Sequence, residues 1–283
     1  MPLPLETRTY QKEHSIKIGS LLKASLQDFY RSRFLAKQLT VRDIKAQYRQ
    51  SYLGMLWVVI TPLTTAFVWI FLNSSGAIRL TDTGIPYPVY AFSGSLIWSI
   101  LSEAINSPKG STAASMGIMT KINFPKEALI LSGIYKLLFN SAVKIVLLLV
   151  FLMVYQVDFG YSILLFPFAL IGILLFGTSI GLLITPIALL YRDVSRIISL
   201  GMRFLMYVTP VVYVVPQTGV LKTLMELNPL TPLLVVSRNV VVGLPLDYLD
   251  YYLAIMLCCI PLFFVALLFY RVSIPIIVER SGG

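Results

Sequence analysis

Six long apolar stretches alternate with short loops carrying Lys and Arg, and this pattern restricts the chain more than any other feature. An uncharged run of about 20 residues crosses the hydrocarbon core of a bilayer as a helix. Leu53 to Leu72 is such a run. Val89 to Ile105 follows, with Glu103 near its end, and Leu129 to Tyr155 carries Lys136 and Lys144. Ile163 to Leu190, Ile197 to Val215 and Tyr252 to Tyr270 complete the set. With 57% apolar and 13% charged residues, a water-soluble fold would have nowhere to bury them. The expectation is an all-α integral membrane protein: residues 1–50 form a leader, 51–271 a domain of six transmembrane helices, and 272–283 a tail.

Basic residues set the orientation, because positive loops are retained on the cytoplasmic side. With six crossings both termini share a side. Placing them in the cytoplasm puts the basic leader there with Lys109, Lys121, Lys126, Arg192, Arg196, Arg271 and Arg280, leaving Arg79, Lys222 and Arg238 outside. Topology and anionic membrane lipid thus account for the formal charge of +10, and no nucleic-acid partner is needed.

Other chemistries are excluded by residue type. The only histidine is His14 in the leader, and Cys258 and Cys259 adjoin within an apolar run, so neither a metal site nor a disulfide framework is on offer. No Gly precedes a Lys, which removes the loop that cradles ATP phosphates. The chain has no cofactor of its own, and energy must come from a partner. A charged leader also stands where a cleavable signal peptide would have its apolar core.

In that leader, Leu22, Leu26, Phe29 and Tyr30 recur at helical spacing among Lys23, Gln27, Asp28 and Arg31. This describes an amphipathic helix, lying in the membrane interface or packed on a soluble partner. Thr40 with Asp43 three residues on has the form of a capping box, predicting a new helix from Val41. On it Arg42, Lys45 and Arg49 share a face, where cations either grip a phosphate group or anchor to acidic lipid.

Ser132, Lys136, Asn140 and Lys144 recur every fourth residue and trace one polar stripe on an apolar helix. Two ammonium groups facing lipid would each cost roughly 2.5 to 3.5 kcal/mol near the centre, so the stripe faces protein or water. Glu103 is the one acidic residue within a span and Arg203 reads as a further buried cation. Structural pairing and contact with an anionic substrate both remain open for these cations. Between the fifth and sixth spans, Leu233 to Val242 is too short to cross. A re-entrant helix pair broken at Pro229 and Pro232, or a cap helix on the outer surface, fits it.

The stretch Arg42 to Trp57 followed by Thr61-Pro62-Leu63 resembles the approach to the first span in the ABC-2 type exporters of polysaccharides and polyol phosphates. Further blocks agree in order: Pro86 to Tyr90 with Gly94 and Trp98, Lys121 to Glu127, Tyr191 to Val194, Thr209 to Tyr213, and Asn228-Pro229-Leu230 with Arg238. The resemblance implies a homodimer of membrane subunits with two copies of an ABC ATPase that binds ATP and Mg, moving lipid-linked polymer of the O-antigen, capsule or teichoic acid kind. It implies a coupling helix at Lys121 to Glu127, with Phe124 entering the ATPase, Pro125 setting the turn, and Lys126 and Glu127 in exposed ion pairs. Arg192 and Asp193 offer a second contact, and Asn228, Pro229 and Arg238 an outer gate.

A polysaccharide path favours aromatic rings, on which sugars stack. Trp57, Phe67, Trp69 and Phe71, with Phe204, Tyr207 and Tyr213, are the candidates; packing or the interfacial belt is the alternative for each. A phosphotransferase acting on lipid-linked sugars would want clustered carboxylates, whereas Asp43, Glu127 and Asp193 are scattered. A secondary transporter would want intramembrane carboxylates or repeats, and only Glu103 speaks for it.

Overall fold

A computed structural model describes residues 18–49, 51–76, 83–122, 124–157 and 160–282; His14, Arg79 and Asn123 lie outside them. The described residues are helical, without a strand. In chain order they form α1 (Ile18–Arg31), α2 (Arg33–Tyr48), α3 (Trp57–Ser74), α4 (Tyr87–Met119), α5 (Glu127–Val154), α6 (Phe166–Leu190), α7 (Arg192–Tyr207), α8 (Val220–Leu227), α9 (Leu230–Val242) and α10 (Leu249–Gly282).

α4 is the axis, packed by α3, α5, α6 and α9, and it is enclosed nearly all round from Val89 to Leu101. Small residues permit its closest neighbour. Gly177 and Gly181 of α6 lie one turn apart, and a Cβ at Gly177 would stand 2.5 Å from the Ala104 Cβ of α4. Without water to drive apolar surfaces together, such close approach is how helices gain van der Waals contact in lipid. α10 closes the other side of α6, where the Tyr252 hydroxyl donates to the carbonyls of Phe168 and Ala169, both at 3.2 Å.

Among the described residues four helical stretches are long and apolar enough to cross a membrane: Gly54–Ser74, Glu127–Val154, Tyr161–Leu190 and Leu249–Arg280. Two of the six expected runs differ. Val89 to Ile105 lies within α4, whose hydroxyl and amide residues dilute its apolar character and are sheltered by neighbours instead. Ile197 to Val215 is not one helix. α7 starts earlier, at Arg192, and stops at Tyr207, just ahead of Thr209-Pro210, where proline disfavours helical geometry in the residue before it.

The leader also departs from expectation. α2 passes through Val41 without a break, because the Thr40 hydroxyl bonds the Ala36 carbonyl one turn back at 2.7 Å and meets Ser132 Oγ of α5 at 3.2 Å. Thr40 is therefore a packing contact and not a cap. Pro232 sits in the first turn of α9, where its missing N–H costs nothing, so the only break is at Asn228 and Pro229. α10 runs on through residue 272 to Gly282.

Candidate functional site: a polar wall within the apolar bundle

Ser95, Ser99, Ser102 and Asn106 are spaced four, three and four apart and so share one face of α4. Thr61 and Thr65 of α3 stand opposite, and the two sets line a cavity of about 310 Å³ with Trp98, Glu103 and Met206. The threonine hydroxyls donate to Trp57 and Thr61 carbonyls of their own helix, leaving lone pairs free to accept. A second cavity of about 630 Å³ opens between α2, α4 and α5, with Arg42, Asp43, Gln47, Ser107 and Lys136 among its lining. Glu103 and Asn106 belong to both cavities.

The α5 stripe supplies the charge at this junction. Lys144 Nζ lies 2.7 Å from Glu103 Oε2, and Asn140 Nδ2 donates to Glu103 Oε1. The Lys144 side chain is 4% exposed and that of Glu103 26%, so the lysine depends on its partner while the carboxylate also reaches the cavities. Ser132, Asn140 and Lys144 are buried and Lys136 is half-buried, which turns the whole stripe away from lipid. Arg42 turns inward too, to Asp43 at 2.6 Å and Ser115 Oγ at 2.9 Å. Lys45 and Arg49 stay exposed, so Arg42 is turned away from the other two cations of the expected face. Arg203 is exposed on α7, because this helix is amphipathic and only loosely attached to α6; the expected burial is wrong.

The turn between α4 and α5 is anchored more firmly than an exposed connection. Phe124 is half-buried against a cluster that includes Leu39, Leu129 and Tyr270, with Lys126 Nζ 5.1 Å from its ring centre. Burial lowers the Lys126 pKa, partly offset by Glu127. Glu127 is not in an exposed ion pair: it is buried, accepts from Ser25 Oγ of α1 at 2.6 Å, and pairs with Arg271 of α10. Arg271 also holds Asp28 of α1 at 2.9 Å. Lys121 and Pro125 are exposed. At the start of α7 Asp193 is exposed and meets Arg196 at 3.4 Å; the Arg192 side chain lies outside the described ones.

At the opposite end, side chains hold the segment after α7. Asn228 Nδ2 donates to Thr209 Oγ1 at 2.9 Å while its Oδ1 accepts from the Leu230 N–H. The buried Arg238 donates to the Pro210 carbonyl at 2.9 Å and lies 3.7 Å from the Tyr90 ring centre. Tyr87 and Tyr90 donate to the carbonyls of Val212 and Tyr213, both at 3.1 Å. Gly94 makes room for this, since a Cβ there would collide with the Val211 carbonyl. Pro229 is exposed.

The aromatic candidates are scattered within one chain. Trp57, Phe67 and Phe71 are exposed on α3 and Phe204 and Tyr207 on α7; the Trp69 and Tyr213 ring centres lie 6.4 Å apart, and the Tyr213 hydroxyl donates to the Tyr207 carbonyl. Sequence reasoning missed the hydroxyl wall of α4 altogether; its signal was the four-three-four spacing of Ser95 to Asn106.

An uninterrupted match settles the affiliation: residues 34–242 fit the family model of the ABC-2 type transporter. The chain belongs to that family. Among curated proteins it is similar to the O-antigen export system permease protein RfbA of Myxococcus xanthus, 26% identical over 213 residues that cover 74% of this chain and 80% of the relative. The RfbA of Klebsiella pneumoniae is likewise 26% identical over 215 residues, covering 74% and 81%. As an ABC-2 type transporter subunit the chain is a multi-pass membrane protein, and its polar wall lies within the matched region.

Proposed function

We propose that this chain is the transmembrane subunit of an ATP-driven exporter that moves lipid-linked polysaccharide or polyol phosphate polymer, of the O-antigen, capsule or teichoic acid kind, outward across the cytoplasmic membrane. The observation that carries this reading is the hydroxyl wall of α4, set beside two helices, α3 and α7, on which Trp57, Phe67, Phe71, Phe204 and Tyr207 stand bare. Scattered hydroxyls and rings offer many weak contacts to a sugar polymer and hold no unit tightly, as a conducting surface requires.

In this reading two copies of the chain face each other and close the path, and two copies of a separate ABC ATPase dock beneath with ATP and Mg. Each chain crosses six times, α4 supplying the second crossing and α7 with its following segment the fifth. Both termini lie in the cytoplasm, and α8 and α9 form a re-entrant pair at the outer mouth. Phe124 and the turn around it transmit the ATPase stroke to α5. Glu103, held by Lys144 and Asn140, keeps the wall hydrated.

Reconstitution with its ATPase tests the reading. The expected result is a stable complex whose nucleotide turnover depends on this chain, while the chain alone turns over none. Phe124→Ala uncouples turnover from transport without unfolding the spans, and Ser99→Leu with Ser102→Leu leaves polymer inside. Normal polymer export by cells lacking any associated ATPase would overturn it.

A further inference from the structure

α1 and α2 carry two carboxylates, and both are turned into the protein. Asp28 is held by Arg271, and the Asp43 side chain, 9% exposed, is held by Arg42. On the opposite side of the same two helices Arg31, Arg33, Lys37 and Lys45 are exposed, and none forms an ion pair among the described residues. These four rim a groove of about 890 Å³ with no acidic residue among the described residues of its lining. Its floor is apolar: Phe34, Val41 and Ile44 come from α2, Tyr135 and Phe139 from α5. Phe34 is 74% exposed, a large apolar area left open by the described residues. A positive rim above an apolar slot matches a ligand with a phosphate at one end and acyl chains below it.

We propose that this groove is a binding site for one anionic phospholipid of the surrounding leaflet, its phosphate among Arg33, Lys37 and Lys45 and its chains along Phe34, Val41 and Phe139. Bulk phospholipid, and not the lipid carrier of the exported polymer, is the occupant because, among the described residues, the groove shares no lining residue with the polar cavities. α2 and α5 stand between them as a partition, presenting Lys45 and Phe139 to one side and Asp43 and Lys136 to the other. The inference rests on membrane embedding alone and not on the identity of the polymer.

The test is native mass spectrometry of the full chain taken from vesicles of phosphatidylcholine with a minority of phosphatidylglycerol. The unaltered chain retains one phosphatidylglycerol in preference to phosphatidylcholine. Lys37→Gln with Lys45→Gln weakens retention about 25-fold, as expected for two lost cations near a membrane surface. Val41→Trp, which fills the slot and keeps every charge, abolishes retention, whereas Arg196→Gln with Lys222→Gln changes nothing. Thermal unfolding in detergent confirms that each variant is folded. Retention unaffected by both groove variants, equal loss with the distant charge variant, or retention of added polyprenyl phosphate in place of phosphatidylglycerol would each overturn the proposal, and none bears on polymer export.

Discussion

α3 and α9 are both apolar helices, yet one is bare and the other enclosed. The membrane-length stretch containing α3 has a mean hydropathy of 2.0 and only 11% of it is buried, while every residue of α9 is buried, Arg238 and Asn239 included. The difference shows that apolarity does not drive a helix inward here. In a bilayer, lipid is as good a solvent for Leu and Phe as another helix, so the interior goes to segments whose polar groups lipid would reject. α4 illustrates the rule from the centre of the bundle, with its serines, Asn106 and Glu103. Bare α3 is free to meet lipid or a second copy, whereas α4 and α9 have no choice.

The strongest challenge to that contrast is Glu103→Ala, which strands the Lys144 ammonium among apolar neighbours. The expected loss is about 3 to 5 kcal/mol in denaturant unfolding from mixed micelles. Lys144→Met costs less, because the remaining carboxylate reaches the cavities, and the double variant recovers most of the stability. Next comes Gly181→Leu, whose side chain must push α6 off Ile105 and Pro108. A loss of roughly 1 to 3 kcal/mol is expected, visible as a lowered melting temperature. Arg238→Met removes the donor to the Pro210 carbonyl and leaves a buried acceptor unmet, at about 1 to 2 kcal/mol. Limited proteolysis then cuts sooner between residues 208 and 219. Smallest of all is Phe67→Ala on α3, within about 0.5 kcal/mol of the unaltered chain. Phe67→Cys sharpens the comparison, because crosslinking between two copies is expected there and none from a cysteine at Val236, which is buried within its own chain.

Charge on an apolar helix was readable from the sequence alone. The Ser132 to Lys144 spacing announced an inward stripe, since a lysine in mid-span has few places to go. The matching wall on α4 went unread because serine in a helix can bond its own backbone, which makes it silent in any count of polar residues. Thr40 misled for the same reason: its hydroxyl serves the preceding turn, so a pattern that resembles a helix start lies inside one. Glu127 was misplaced because its partners, Ser25 and Arg271, are more than a hundred residues away in opposite directions, and local spacing carries no trace of them. Arg203 was judged by the apolar run around it, whereas the amphipathic period of α7 puts it on the open side.

The ion cluster at Arg271 has a mechanical consequence. One guanidinium clasps α1, the head of α5 and α10, so the three elements are tied at a single point close to the turn that holds Phe124. Under the proposed coupling, a nudge at that short turn becomes a joint tilt of α1, α5 and α10 and is not absorbed by any one of them.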